Sequence, residues 1–253
     1  MNQRRKLIPN WIFFILLSLV MISGFFTSIE TTDIVTKVTK LLIIPFLLIL
    51  YFSHKNYMAN VFFTIFLLAF LGDIFSVFNF NSLVDKLSKA MCLGSYLLLV
   101  FVLIGKLKRV KFEGLISWYL IVVFVVNAYF MYLFFDVVES NFSDSVNLVL
   151  YVSRGITILL MGFLAFAVYL SKETTQSILF LTMTICFVFS DVLIYINELY
   201  VYYWLFDSIV LILHAIGLFL LYSYVLNHHN IIKLHKKPSE DRSTISANKH
   251  ITA

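Results

Sequence analysis

Charge is what this chain has least of. Asp, Glu, Lys and Arg make up 13% of its 253 residues, against ~25% in a soluble domain. Apolar residues reach 61% and the mean hydropathy is +0.93, which excludes a water-soluble globular fold. Cysteine is also scarce. Cys92 and Cys186 both lie in apolar runs, where a thiol behaves as a small hydrophobe. No Cys–Cys or Cys–His spacing marks a metal site, and no cofactor is expected. With 8 glycines and 3 prolines there is no glycine-rich phosphate loop and little to break helices. No alternation of period two marks strands. The net charge of +5 does not call for nucleic acid, because the basic residues fall in loops and tails as membrane topology requires.

What the chain does have is long apolar runs. They cover residues 11–27, 38–52, 58–78, 87–105, 115–135, 146–170, 177–197 and 204–226. About 20 helical residues span ~30 Å of hydrocarbon, so the sequence predicts an all-α polytopic membrane bundle of eight transmembrane helices. The run 11–27 follows a basic MNQRRK start, as in a signal peptide. It has no A-x-A site and is long for a signal h-region, so an uncleaved span is expected. The 38–52 run is the shortest, and Pro45 inside it predicts a kink. Residues 1–10 form an N-terminal segment, 11–226 the membrane domain, and 227–253 a polar basic tail expected to be disordered. The tail's four histidines lack the rigid spacing of ligands.

Loop charges orient the bundle. Of 19 Lys and Arg residues, fourteen fall on one side and four (Lys37, Lys40, Lys86, Lys89) on the other, with Arg154 inside a run. The positive-inside rule places both termini in the cytoplasm, consistent with an even number of spans. A multi-pass protein of the bacterial inner membrane is expected, with lipid as its surroundings and a homo-oligomer left open.

Two carboxylates fall inside this hydrocarbon. A charge at the bilayer centre costs at least ~2.5 kcal/mol and needs a partner, a proton or water. At 1.5 Å rise per residue, Asp73 lies ~22 Å and Asp191 ~21 Å from the inner starts of their runs. Arg154 comes ~12 Å in from the outer end of its own run, which brings it close to the same plane. Lys40 sits at the outer interface, and His214 ~15 Å down the last run. Helical spacing adds Tyr151 to the face of Arg154, while Ser190 directly precedes Asp191.

Bland readings stand beside these. An Asp–Arg pair can be a structural ion pair, Lys40 a snorkelling anchor, and His214 a hydrogen-bonded core histidine. Two level carboxyls also have a chemical use: repulsion and desolvation leave one protonated while the other stays charged. Such a pair can protonate a substrate and stabilise the resulting cation, or relay protons in a small-molecule carrier. A non-catalytic lipid-binding protein is the third possibility.

The residues resemble one family. The Gly72-Asp73 pair, the pattern Phe187-x-x-Ser190-Asp191-x-x-Ile194, the Thr39-Lys40 opening and the eight runs together look like the YhhN family of lysoplasmalogenases. The likeness covers roughly residues 35–225. Where that family carries a histidine in its fourth span, this chain has Cys92 to Tyr96 and none. Its Tyr-x-x-Gln appears here as His214-Ala215-Ile216-Gly217. The resemblance implies an ether-bond hydrolase of lipid metabolism that opens the vinyl ether of a lysophospholipid. Asp73 and Asp191 would be catalytic, and Lys40, Arg154, Ser190, His214 and Tyr151 would contact substrate.

Overall fold

The computed structural model describes residues 33–54, 57–78, 80–107, 115–141, 144–172, 174–199 and 203–248. Among them there are seven helices and no strands. These are α1 (Asp33–His54), α2 (Asn60–Val77), α3 (Ser82–Leu107), α4 (Leu115–Asn141), α5 (Ser145–Lys172), α6 (Thr175–Leu199) and α7 (Trp204–Asn248). Five of them are long and apolar enough to cross a membrane: α2, α3, α5, α6 and the Leu205–Asn227 part of α7. The chain is therefore a multi-pass membrane protein. The 38–52 and 115–135 runs lie in α1 and α4, and within α4 the described residues form an apolar helical stretch over Trp118–Phe130. The 11–27 run lies outside the described residues. The backbone of α7 stays helical to Asn248, into the stretch read as a polar tail.

Each buried stripe shows why a helix faces inward where it does. On α6, Phe180, Met183, Phe187 and Asp191 are all buried, at steps of three or four that put them on one face. The carboxylate therefore continues the stripe into the bundle instead of meeting lipid. The stripe on α2 runs Phe62, Ile65, Phe66, Gly72 and Asp73, with the same effect. On α5 it is Tyr151, Ile158, Met161, Ala165 and Val168.

Packing is most extensive between α6 and α7, then α2 and α3, then α3 and α5. Two glycines set the closest approaches. A Cβ on Gly72 would meet Cys92 Sγ at 2.6 Å, and one on Gly217 would meet the Phe187 ring at 2.7 Å. Small residues let backbones draw together where lipid supplies no hydrophobic drive. Helix α4 differs from the rest. Trp118, Val122, Phe124, Tyr129 and Phe130 are each more than half exposed, and its main neighbour is α5. A helix apolar on every side has no face that selects a partner.

Candidate functional site

The buried stripes of α2 and α6 end in acids, and each acid meets a cation from a different helix. Asp191 faces α5. Arg154 donates from Nε to Asp191 Oδ2 and from Nη2 to Oδ1, both at 2.8 Å. The carboxylate is 2% exposed and the guanidinium 15%. Such a two-pronged contact fixes geometry as well as charge. Tyr96 of α3 adds a third donor, its hydroxyl reaching Oδ1 at 3.3 Å, and its ring centroid lies 5.9 Å from Arg154 Cζ.

Asp73 faces α1 and α7. Lys40 Nζ lies 3.5 Å from Asp73 Oδ1 and donates to Ser76 Oγ at 3.2 Å. His214 Nε2 is 3.8 Å from Oδ2, within ionic range but too far for a hydrogen bond. Both of those buried atoms lack a hydrogen-bond partner among the described residues.

Phe187 and Cys92 stand between the two ion-paired clusters. The Phe187 ring lies 5.8 Å from that of Tyr96 and 5.7 Å from that of His214. The Cys92 thiol is within electrostatic reach of Arg154, Asp73, Lys40 and Asp191. A cavity of about 20 Å³ lined by Cys92, Tyr96, Phe187 and His214 fills the remaining space.

A larger groove of about 670 Å³ opens between α4, α5 and α6. Its walls are apolar, among them Phe130, Leu133, Ile158, Val188 and Leu199, and Asp191 lies on its inner wall. Ligand pockets are typically ~300–1,000 Å³, apolar with a few placed polar groups.

The structure gathers these residues into two clusters, Arg154 with Asp191 and Lys40 and His214 with Asp73, which together make up a polar layer. Each acid faces cations from other helices. Tyr151 stands apart. It donates to Glu198, packs its ring 5.6 Å from that of Tyr195, and lies under Lys89 at 4.7 Å. Ser190 faces α7, where its hydroxyl donates to the Val210 carbonyl at 3.4 Å and ties the two helices. No group of three His, Cys, Asp or Glu arranged to hold a metal occurs among the described residues.

No family model, no curated protein and no solved structure significantly matches this chain.

Sequence reasoning did not single out Tyr96. Its only signal was a phenol inside an otherwise aliphatic stretch, and a hydroxyl at membrane depth wants a partner. Lys89 was read as a loop charge, yet it bridges Asp85 at 2.6 Å while covering Tyr151.

Proposed function

We propose that this chain is an integral membrane hydrolase of the lysoplasmalogenase type, which cleaves the vinyl ether bond of a lysophospholipid by acid catalysis. The observation that carries this reading is the Asp191 carboxylate, held by Arg154 at membrane depth on the wall of an apolar groove. A charge in that position is costly and functional by default, and the groove has the volume of a ligand pocket. The reading includes eight spans with cytoplasmic termini in a bacterial inner membrane. The fourteen-to-four division of basic residues supports that topology.

In this mechanism the lipid chain occupies the groove and its vinyl ether comes to the polar layer. Protonation of the vinyl carbon remote from oxygen gives an oxocarbenium ion. Water adds at the carbon bearing oxygen, loses a proton, and the hemiacetal collapses to a fatty aldehyde and a glycerophospho alcohol. Both oxygens of Asp191 already accept hydrogen bonds, which suits a fixed negative charge facing the cation. The Asp73–His214 pair carries the transferable proton, its two facing atoms free of other hydrogen bonds. Lys40, 33% exposed, is the cation best placed to meet phosphate.

The test is aldehyde release from a lysoplasmalogen by the purified protein in detergent. Asp191→Asn and Asp73→Asn should each lower turnover 10²–10⁴-fold, as the loss of a principal acid or base typically does. One observation favours a second reading: each acid has its own cation, as structural ion pairs do. In that case the protein is a non-catalytic lipid binder, and the wild type retains lysolipid but releases no aldehyde.

A further inference from the structure

At the membrane face where α3 and α5 end, two cations meet with no carboxylate beside them among the described residues. Lys172, the last residue of α5, donates to the backbone carbonyl of Lys106 at 3.3 Å. That contact brings the two ammonium groups within electrostatic reach of each other. Lys106 Nζ lies 4.4 Å from the centroid of the Tyr224 ring. The ring is clamped edge-on by Phe180 at 5.0 Å and Phe62 at 5.8 Å, so the ammonium rests on a fixed surface. Both lysines are half-buried.

Four other cations, Lys40, Lys86, Lys89 and Arg154, each meet a carboxylate. Among the described residues Lys106 and Lys172 meet none. The bland account is that they cap helix C-termini, where each helix end carries roughly half a negative charge. It covers Lys172, whose bond to the Lys106 carbonyl is such a contact. It leaves most of the six N–H donors of the pair unused and two half-buried positive charges side by side. Like charges converging from different helices, with donors to spare, are the arrangement that binds an anion.

We propose that Lys106 and Lys172 bind the phosphate of an anionic phospholipid headgroup in the adjoining leaflet. The site lies at the ends of two membrane-spanning helices, the depth at which headgroups lie and at which basic residues attract anionic lipid. It is independent of the hydrolase reading, because it uses neither acid of the polar layer.

The experiment is a titration of fluorescently labelled phosphatidylglycerol into the full-length protein in detergent, with phosphatidylcholine and inorganic phosphate as comparisons. Phosphatidylglycerol should bind in preference to phosphatidylcholine. Lys106→Gln and Lys172→Gln should each weaken it about fivefold, and the double variant about 25-fold. Lys106→Arg should bind as the wild type does. If Lys106→Gln fails to fold, Lys172→Gln carries the test, since the Lys172 ammonium donates to a helix-end carbonyl and is not stacked on the Tyr224 ring as Lys106 is. Undiminished phosphatidylglycerol binding by the glutamine variants would overturn the site. Complete displacement of the lipid by inorganic phosphate would overturn its assignment to a lipid headgroup. Binding does not depend on turnover, so a protein inactive on lysoplasmalogen still tests it.

Discussion

Replacing Arg154 by Met should destabilise the bundle by about 3–5 kcal/mol, the usual cost of stranding one member of a buried ion pair. Two hydrogen bonds at 2.8 Å hold Asp191, and bonds to charged groups contribute about 1.5–3 kcal/mol each, so their sum agrees with that range. Tyr96 cannot compensate, because its single bond is long at 3.3 Å. Adding Asp191→Leu to Arg154→Met removes the stranded charge and replaces the pair with apolar groups. Such replacements are often neutral or stabilising, so the double variant should recover most of the loss. Unfolding in detergent, followed by helical circular dichroism against denaturant, measures all four corners of the cycle. A coupling of several kcal/mol is expected, above the 0.5–3 kcal/mol of ordinary contacts in close neighbours. A coupling below about 1 kcal/mol would refute the idea that these charges depend on each other. Aldehyde release separates structure from chemistry in the same proteins: the double variant should be stable yet inactive. If it kept wild-type turnover, Asp191 would be a structural residue only.

Gly217→Ala should cost about 1–3 kcal/mol, because its Cβ would lie 2.7 Å from the Phe187 ring and overpacking costs that much. Gly105→Ala, with nothing within 4 Å of its Cβ, should be neutral or stabilise by roughly 0.5–1 kcal/mol; melting curves of the two variants check the contrast. Reporter fusions at Lys111 and Glu173 should read cytoplasmic and one at Glu139 external, and a cytoplasmic signal at Glu139 would sink the eight-span topology. The hydrogen bond from Lys86 holds the Asp144 carboxyl below its ordinary value. Its stabilisation is therefore present above the unfolded value and lost as pH falls through the folded one, below about pH 4. Acid unfolding of Asp144→Asn should lack that contribution, and an unchanged acid limb would count against the Lys86 bridge at 2.6 Å.

The acids show where the sequence stops being sufficient. Depth along the membrane normal is a count of residues multiplied by a fixed rise. That count placed Asp73, Asp191 and Arg154 in one layer before any contact was known. The inward aim of Asp191 is also local, since it continues the Phe180, Met183 and Phe187 stripe on one helical face. Which side chain faces which depends on helix neighbours and on rotation about each axis. In runs apolar on all sides, periodicity marks neither. Two level acids therefore suggested a facing pair, whereas α5 supplies Arg154 to one and α1 and α7 supply Lys40 and His214 to the other.

The sequence by itself determined an all-helical, multi-pass membrane protein, because so little charge over such long apolar runs leaves no other way to satisfy the backbone in lipid. Only the tertiary structure decided that Tyr96 joins Asp191, that Tyr151 turns to Glu198 and that Ser190 binds the α7 backbone. It also decided that α4 stands largely exposed and forms one wall of the groove reaching Asp191. Those outcomes follow from close approach at Gly72 and Gly217 and from the fit of Phe187 between Tyr96 and His214. Contacts of that kind, made between helices far apart in sequence, leave no trace in the hydropathy of any single run.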